Sequence, residues 1–139
     1  MFTTLRPLYA LLLAFVVLLS GCSEPPYTNV DNAKLQQLVD QGVPLYDIRR
    51  PEEWRQTGIV KGSKLLSFVT QGGQVYPDFF PRFTQETKPE KPVVLICRTG
   101  NRSAYLAKYL IEKMGYTTVY NVAAGITLWR KQGLPVVRP

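Results

Sequence analysis

The residues with chemical potential in this chain cluster around one thiol. Cys97 is followed by Arg98-Thr99-Gly100-Asn101-Arg102-Ser103. A cysteine acts as a nucleophile when it is a thiolate, and a thiolate needs a positive or hydrogen-bond-donating environment. The backbone N–H groups of Arg98 to Ser103, turned into a loop, could supply an anion-binding nest. Arg98 and Arg102 add positive charge, and Gly100 allows a close backbone approach. The same nest would hold a thiolate, a persulfide anion or a bound oxyanion. The bland alternative is that Cys97 is an inert core residue, and the loop after it argues against that.

The flanking sequence explains how such a thiol could be positioned. Val93-Val94-Leu95-Ile96 is an unbroken apolar run after Pro92, the pattern of a parallel strand buried on both faces. From Ser103 onward, Ala104, Leu106, Ala107, Leu110, Ile111 and Met114 recur at helical spacing, and Gly115 is a natural stop. Cys97 is therefore expected at the carboxyl end of a strand, facing a helix N-terminus. Ligands of open α/β sheets bind at such ends, and a helix N-terminus favours negative charge.

Composition removes several alternatives. The chain has 139 residues, 45% of them hydrophobic, and a formal charge of +7. One basic, folded domain is the expectation. No run of Lys or Arg exceeds Arg49-Arg50 or Arg130-Lys131, so no nucleic-acid surface is expected. The absence of histidine excludes Ser-His and Cys-His catalysis and the usual catalytic zinc ligand sets. No metal or cofactor is expected. Any electrostatic support for Cys97 must come from backbone dipoles and arginines.

The N-terminus points to export. After Arg6, the apolar run Leu8 to Leu19 is short for a membrane-spanning helix and suits a secretory signal. Leu19-Ser20-Gly21-Cys22 resembles the bacterial lipobox, in which the cysteine is lipidated and becomes the mature N-terminus. The alternative is an uncleaved anchor with an incidental cysteine. The lipobox division gives a signal peptide over 1–21, a lipidated tether over 22–26 and a folded domain over 27–139. Pro25 and Pro26 stiffen that tether, which at about 3.5 Å per residue reaches roughly 20 Å from the bilayer. A Cys22 lipid anchor would leave Cys97 a free thiol and face the domain towards the periplasm. Ser23 is not the aspartate linked with inner-membrane retention, which favours the outer membrane in a Gram-negative host.

The rest of the chain alternates strand and helix. Tyr27 to Val30 reads as a first strand, and Asp31 caps a helix carrying Leu35, Leu38 and Val39 that stops near Gly42. Val43 to Ile48 is a second strand. Pro51-Glu52-Glu53-Trp54 is a helical first turn, with proline leading and acids near the N-terminus. Gly58 to Ser63 is loop, and Lys64 to Phe68 a short strand. Residues 69–92 have no assigned conformation, although Phe79, Phe80 and Phe83 are spaced to share a short helical face. Thr117 to Tyr120 is a further strand, and Gly125 to Gln132 a last helix closed by Gly133. This alternation predicts an α/β fold, an open parallel sheet of about five strands with helices on both faces.

At this point the sequence resembles a known family. Cys97-Arg98-Thr99-Gly100-Asn101-Arg102-Ser103 is similar to the active-site loop of rhodanese-like sulfurtransferases, C-R-x-G-x-R-[ST]. Asp47-Ile48-Arg49-Arg50-Pro51-Glu52-Glu53-Trp54 resembles the family's D-x-R-x-x-x-E-[WF] segment. Gly58-Ile59-Val60-Lys61-Gly62-Ser63 stands where G-H-I-x-G-A is frequent. Asn121 to Trp129 resembles L-x-G-G-x-x-x-W. The departures are Ile59 for histidine and Ala124 for the first glycine, neither of them on the cysteine loop. The similarity spans nearly all of residues 27 to 137.

The resemblance implies a rhodanese-like fold and a thiosulfate sulfurtransferase acting by double displacement. Cys97 would take the outer sulfur of thiosulfate or a similar anionic donor, release sulfite and become a persulfide. Cyanide, a thiol or a protein sulfur acceptor would then remove that sulfur. Arg98, Thr99, Gly100, Asn101, Arg102 and Ser103 would bind the donor and hold the persulfide. Asp47 and Arg49 are expected to support the loop or its neighbours structurally, and Trp54 and Trp129 to be core residues. Two rivals remain. Cysteine phosphatases and arsenate reductases use a similar cradle, but with C-x5-R where this chain has C-x4-R, and commonly with histidine where Ile96 stands. A sulfur-carrier or binding module at the membrane would use the same fold and the same persulfide.

Overall fold

The computed structural model describes residues 21–139. The apolar run Leu8 to Leu19 lies outside the described residues. Gly21 to Ser23 are exposed and without regular structure. Among the described residues, no helix is long and apolar enough to cross a membrane.

Five strands and five helices alternate along the chain. In order they are β1 (Thr28–Val30), α1 (Asn32–Asp40), β2 (Leu45–Asp47), α2 (Pro51–Thr57), β3 (Lys64–Leu65), α3 (Phe79–Glu86), β4 (Val93–Ile96), α4 (Asn101–Met114), β5 (Val119–Val122) and α5 (Gly125–Lys131). The strands form one sheet in the order β1-β5-β4-β2-β3, and every pairing is parallel. The cysteine-bearing strand β4 is thus the central one, paired with β2 on one side and β5 on the other. The expected five-stranded open parallel α/β sheet is what the chain forms.

The apolar run of β4 is explained by cover on both faces. Val93, Leu95 and Cys97 point into a cluster with Leu106, Ala107 and Leu110 of α4 and Phe79 and Phe83 of α3. Val94 and Ile96 point into the opposite cluster, with Leu35 and Leu38 of α1 and Ile126 and Trp129 of α5. Two residues of a strand that point to opposite faces each find a helix. Burying each of these side chains contributes roughly 1.5–3 kcal/mol relative to exposure.

Several boundaries differ from the sequence expectation. β3 ends at Leu65 rather than continuing to Phe68. The chain still follows β2, since Leu66 N donates to Asp47 O and Phe68 N to Ile48 O. Two residues advance on one strand for one on the other, a bulge that ends regular pairing and turns Leu66 and Phe68 inward. Phe79 and Phe83 do share a buried helical face in α3, while Phe80 is half-buried beside them. β5 begins two residues later than expected, at Val119. Helix α4 begins two residues early, at Asn101, and stops at Gly115, whose φ of +75° terminates it.

Candidate active site

The loop from Cys97 to Gly100 joins β4 to α4 and folds back over the thiol. Sγ of Cys97 accepts hydrogen bonds from the Gly100 amide at 3.2 Å, the Ser103 amide at 3.4 Å and the Ser103 hydroxyl at 3.1 Å. Cys97 and Ser103 are both buried, and Gly100 is buried between them. Three donors converging on one sulfur make a site matched to negative charge on that sulfur. Among the described residues, the amides of Thr99, Asn101 and Arg102 donate to no protein acceptor. They are left for a ligand or for solvent.

The conformation depends on two glycines. Gly100 has φ of +94°, and a Cβ there would overlap the Ala123 carbonyl just after β5. Gly125 has φ of +58°, and a Cβ on it would run into the carbonyls of Arg98 and Cys97. That closeness has a purpose. The first turn of α5 grips the loop, with Ile126 N donating to Cys97 O (2.9 Å), Thr127 N to Arg98 O (3.1 Å) and Thr127 Oγ1 to Arg98 O (2.8 Å). The neighbouring Ala124, which replaces the first glycine of the family pattern, has φ of −108°, a conformation open to any L-residue. Ile59, in place of histidine, is buried, and its backbone pairs with Val137.

The charged residues sort into two groups. Arg49 is fully buried, forked onto Asp47 and hydrogen-bonded to Thr57 Oγ1 and the Gly58 carbonyl. Asp47 also accepts from the indole of Trp54 at 3.0 Å. This network fixes α2 to the end of β2. It supports the neighbouring helix, and Asp47 and Arg49 bond to each other rather than to the cysteine loop. Arg102 does touch a partner from that helix, with its two terminal nitrogens on Glu53 at 2.8 and 2.6 Å. Glu53 also accepts from the Arg50 amide. Burial pushes the Glu53 carboxyl up, but the bonds from Arg102 and Arg50 outweigh it and hold it down at about 2. Arg102 is raised in turn, chiefly by its bond to Glu53.

The structure therefore brings Cys97, Gly100 and Ser103 together at the sulfur. Thr99 and Asn101 sit on the exposed rim, with Arg98 exposed beside them. The guanidinium of Arg102 braces the loop against α2. Sequence reading did not assign Glu53, Gly125 or Thr127 to the site. Glu53 stands three residues after Arg50, the spacing of a helix-start carboxylate, and that signal accounts for its bond to Arg50 but not for the one to Arg102.

The site is a cysteine cradled between the central strand of a parallel α/β sheet and the helix that follows it. The comparison with known families is specific: residues 31–132 match the Rhodanese-like domain, and the chain belongs to that family. A sulfurtransferase of Allochromatium vinosum is 33% identical over 79% of this chain and 94% of its own length. The polysulfide-sulfur transferase homodimer of Wolinella succinogenes has a similar structure, with a TM-score of 0.65 and 28% identity over 82% of this chain and 80% of that one. A Rhodopseudomonas palustris protein of unknown function, described as a possible tyrosine phosphatase, matches with a TM-score of 0.61 and 25% identity over 99% and 98% of the two chains.

Proposed function

We propose that this protein is a sulfurtransferase that moves sulfane sulfur through a persulfide on Cys97. Thiosulfate is the simplest donor. The Cys97 thiolate attacks its outer sulfur, the S–S bond breaks, and the bonding pair leaves with sulfite. A thiol, cyanide or a protein thiolate then attacks the outer persulfide sulfur and regenerates the Cys97 thiolate. The observation that carries this reading is the convergence of the Gly100 amide and the Ser103 amide and hydroxyl on Sγ. These donors favour the anionic sulfur that must exist before and after each transfer. Arg98, Thr99 and Asn101 on the rim would draw in an anionic donor, while Arg102 and Ser103 keep the loop closed around the sulfur.

Intact mass spectrometry tests this directly. After incubation with thiosulfate, the soluble domain is expected to gain one sulfur, and the Cys97→Ser protein none. No adduct on the wild-type protein with thiosulfate, polysulfide or an organic persulfide would sink the proposal. A second reading, phosphate-ester hydrolysis, is favoured by the likeness to the possible tyrosine phosphatase. The four residues between Cys97 and Arg102 make a tighter ring than a C-x5-R cradle, which suits one sulfur atom better than a tetrahedral oxyanion. Turnover of an aryl phosphate, lost in Cys97→Ser, would promote that reading.

We also propose that the domain works at the outer side of a membrane, tethered by lipid on Cys22 after removal of residues 1–21. The support is the lipobox-like Leu19-Ser20-Gly21-Cys22 and the exposed position of Cys22. Ser23 favours the outer membrane in a Gram-negative cell.

A further inference from the structure

The Gly100 amide, the Ser103 amide and the Ser103 hydroxyl are all engaged with Sγ of Cys97, the inner sulfur of a persulfide. In a persulfide anion the negative charge sits one bond further out, on the outer sulfur, which calls for a donor of its own. Among the described residues, the amides of Thr99, Asn101 and Arg102 have no protein acceptor. Asn101 and Arg102 open α4, so the helix sets the direction of their N–H groups. Thr99 lies in no regular element, and its N–H must take its direction from elsewhere.

Helix α5 supplies that direction. The Arg98 carbonyl and the Thr99 N–H belong to one trans peptide and point opposite ways. The carbonyl accepts from the Thr127 amide at 3.1 Å and from the Thr127 hydroxyl at 2.8 Å. Ile126 and Trp129 of α5 pack on one face of the sheet, and the Cys97 side chain points to the other. A carbonyl drawn onto α5 therefore turns the Thr99 N–H to the side on which Sγ stands. The Cys97 carbonyl, bonded to the Ile126 amide, holds the preceding peptide in the same sense. Of the three donors that α5 offers to the loop, the Thr127 hydroxyl is the one that a side chain provides. Thr127 is exposed, so this bond can be removed without opening the core.

We propose that Thr127 is a positioning residue for the persulfide: through the Arg98 carbonyl, its hydroxyl holds the Thr99 N–H towards the outer sulfur and so favours the Cys97 persulfide over the free thiolate. The inference rests on the sulfurtransferase reading. In the exchange, the Cys97 thiolate attacks the outer sulfur of thiosulfate, and the S–S bond of thiosulfate breaks. Its bonding pair leaves with sulfite, and Cys97–S–S⁻ forms. Sulfite reverses the step by attacking the outer persulfide sulfur, and no external oxidant or reductant takes part. Thr127 touches neither sulfur. It shifts the balance of the exchange by fixing the peptide that faces the outer one.

Two measurements on wild type, Thr127→Val and Thr127→Ser test it. The first is the persulfide fraction at fixed thiosulfate and rising sulfite, read by intact mass, which gives the equilibrium constant of the exchange. In Thr127→Val that constant is expected to fall about three- to tenfold, the worth of one hydrogen bond, and Thr127→Ser should restore most of it. The second is the rate at which iodoacetamide alkylates persulfide-free Cys97, which reports the inner sulfur alone and should be the same in all three proteins. An exchange constant unchanged in Thr127→Val overturns the proposal. So does a Thr127→Ser protein no better than Thr127→Val, because the hydroxyl would then not be the cause. An alkylation rate that falls in parallel with the exchange constant also overturns it, since Thr127 would then prop the whole loop. A wild-type protein that forms no persulfide with any donor removes the sulfurtransferase reading and this inference with it. A persulfide that wild type and Thr127→Val form equally well removes this inference alone.

Discussion

Cys97 is surrounded by groups whose position tolerates little change, and Gly100 shows why. Its amide reaches the sulfur because its backbone lies against the Ala123 carbonyl with φ of +94°. Any side chain meets both a steric and a conformational penalty there. Gly100→Ala is expected to destabilise the fold by roughly 2–4 kcal/mol, read as a lower urea midpoint, and to cut persulfide formation. Ala124→Gly, by contrast, should change stability by under about 1 kcal/mol, because Ala124 already sits in ordinary backbone space. Gly125→Ala, whose Cβ would meet the Arg98 and Cys97 carbonyls, should instead lose stability as Gly100→Ala does, and a loss no larger than that of Ala124→Gly would contradict this account of why only the second residue of the Ala124-Gly125 pair must be glycine.

Between elements, a salt bridge joins α2 to α4. Glu53 and Arg102 are 49 residues apart in sequence, yet their fork fixes the first turn of α4 against α2. The Glu53 carboxyl is held at about 2, below the ordinary value of 4.5. A depressed carboxyl adds stability that is complete above about pH 4.5 and disappears as pH falls through about 2. Glu53→Gln should therefore be less stable at neutral pH by about 1–3 kcal/mol and should show a flatter stability profile between pH 4.5 and 2. Chemical denaturation across that range measures both effects. If wild type and variant lose stability in parallel on acidification, another carboxylate is responsible. The buried Arg49–Asp47 pair locks the other end of this unit, anchoring α2 to β2 through five guanidinium donors that lysine could not replace.

At the level of the whole molecule, the site and the first strand lie on different parts of the sheet. β1, which follows the proposed tether, is an edge strand, two places from β4 in the order β1-β5-β4-β2-β3. A lipid on Cys22 would hold the domain close to a membrane through the exposed segment before β1. Cys22→Ala is expected to release the protein from membrane fractions or leave it as an unprocessed precursor, with sulfur transfer by the folded domain unchanged. A wild-type protein that carries no lipid and keeps residues 1–21, with Cys22→Ala equally membrane-bound, would show that the hydrophobic run itself is the anchor.

Local sequence determined a large part of this protein. The apolar run of β4, the helical spacing after Ser103 and the glycine between them fixed a thiol at a strand end before a helix. Period-two and period-3.6 patterns, with proline and glycine at the boundaries, likewise marked most of the other elements, because these signals act over a few residues. The tertiary structure decided what the charged groups do. Arg102 reads from sequence as a ligand for the donor and is occupied by Glu53, while Arg98 shares a cleft with Arg130, which sequence reading passed over as part of a short basic pair. Residues 69–92 acquired their helix for a similar reason: Phe79 and Phe83 are buried only because the sheet's face beside α4 was open to them. A side chain's partner depends on which strands and helices become neighbours, and strand order is a property of the packed sheet, with no signature in the spacing of nearby residues.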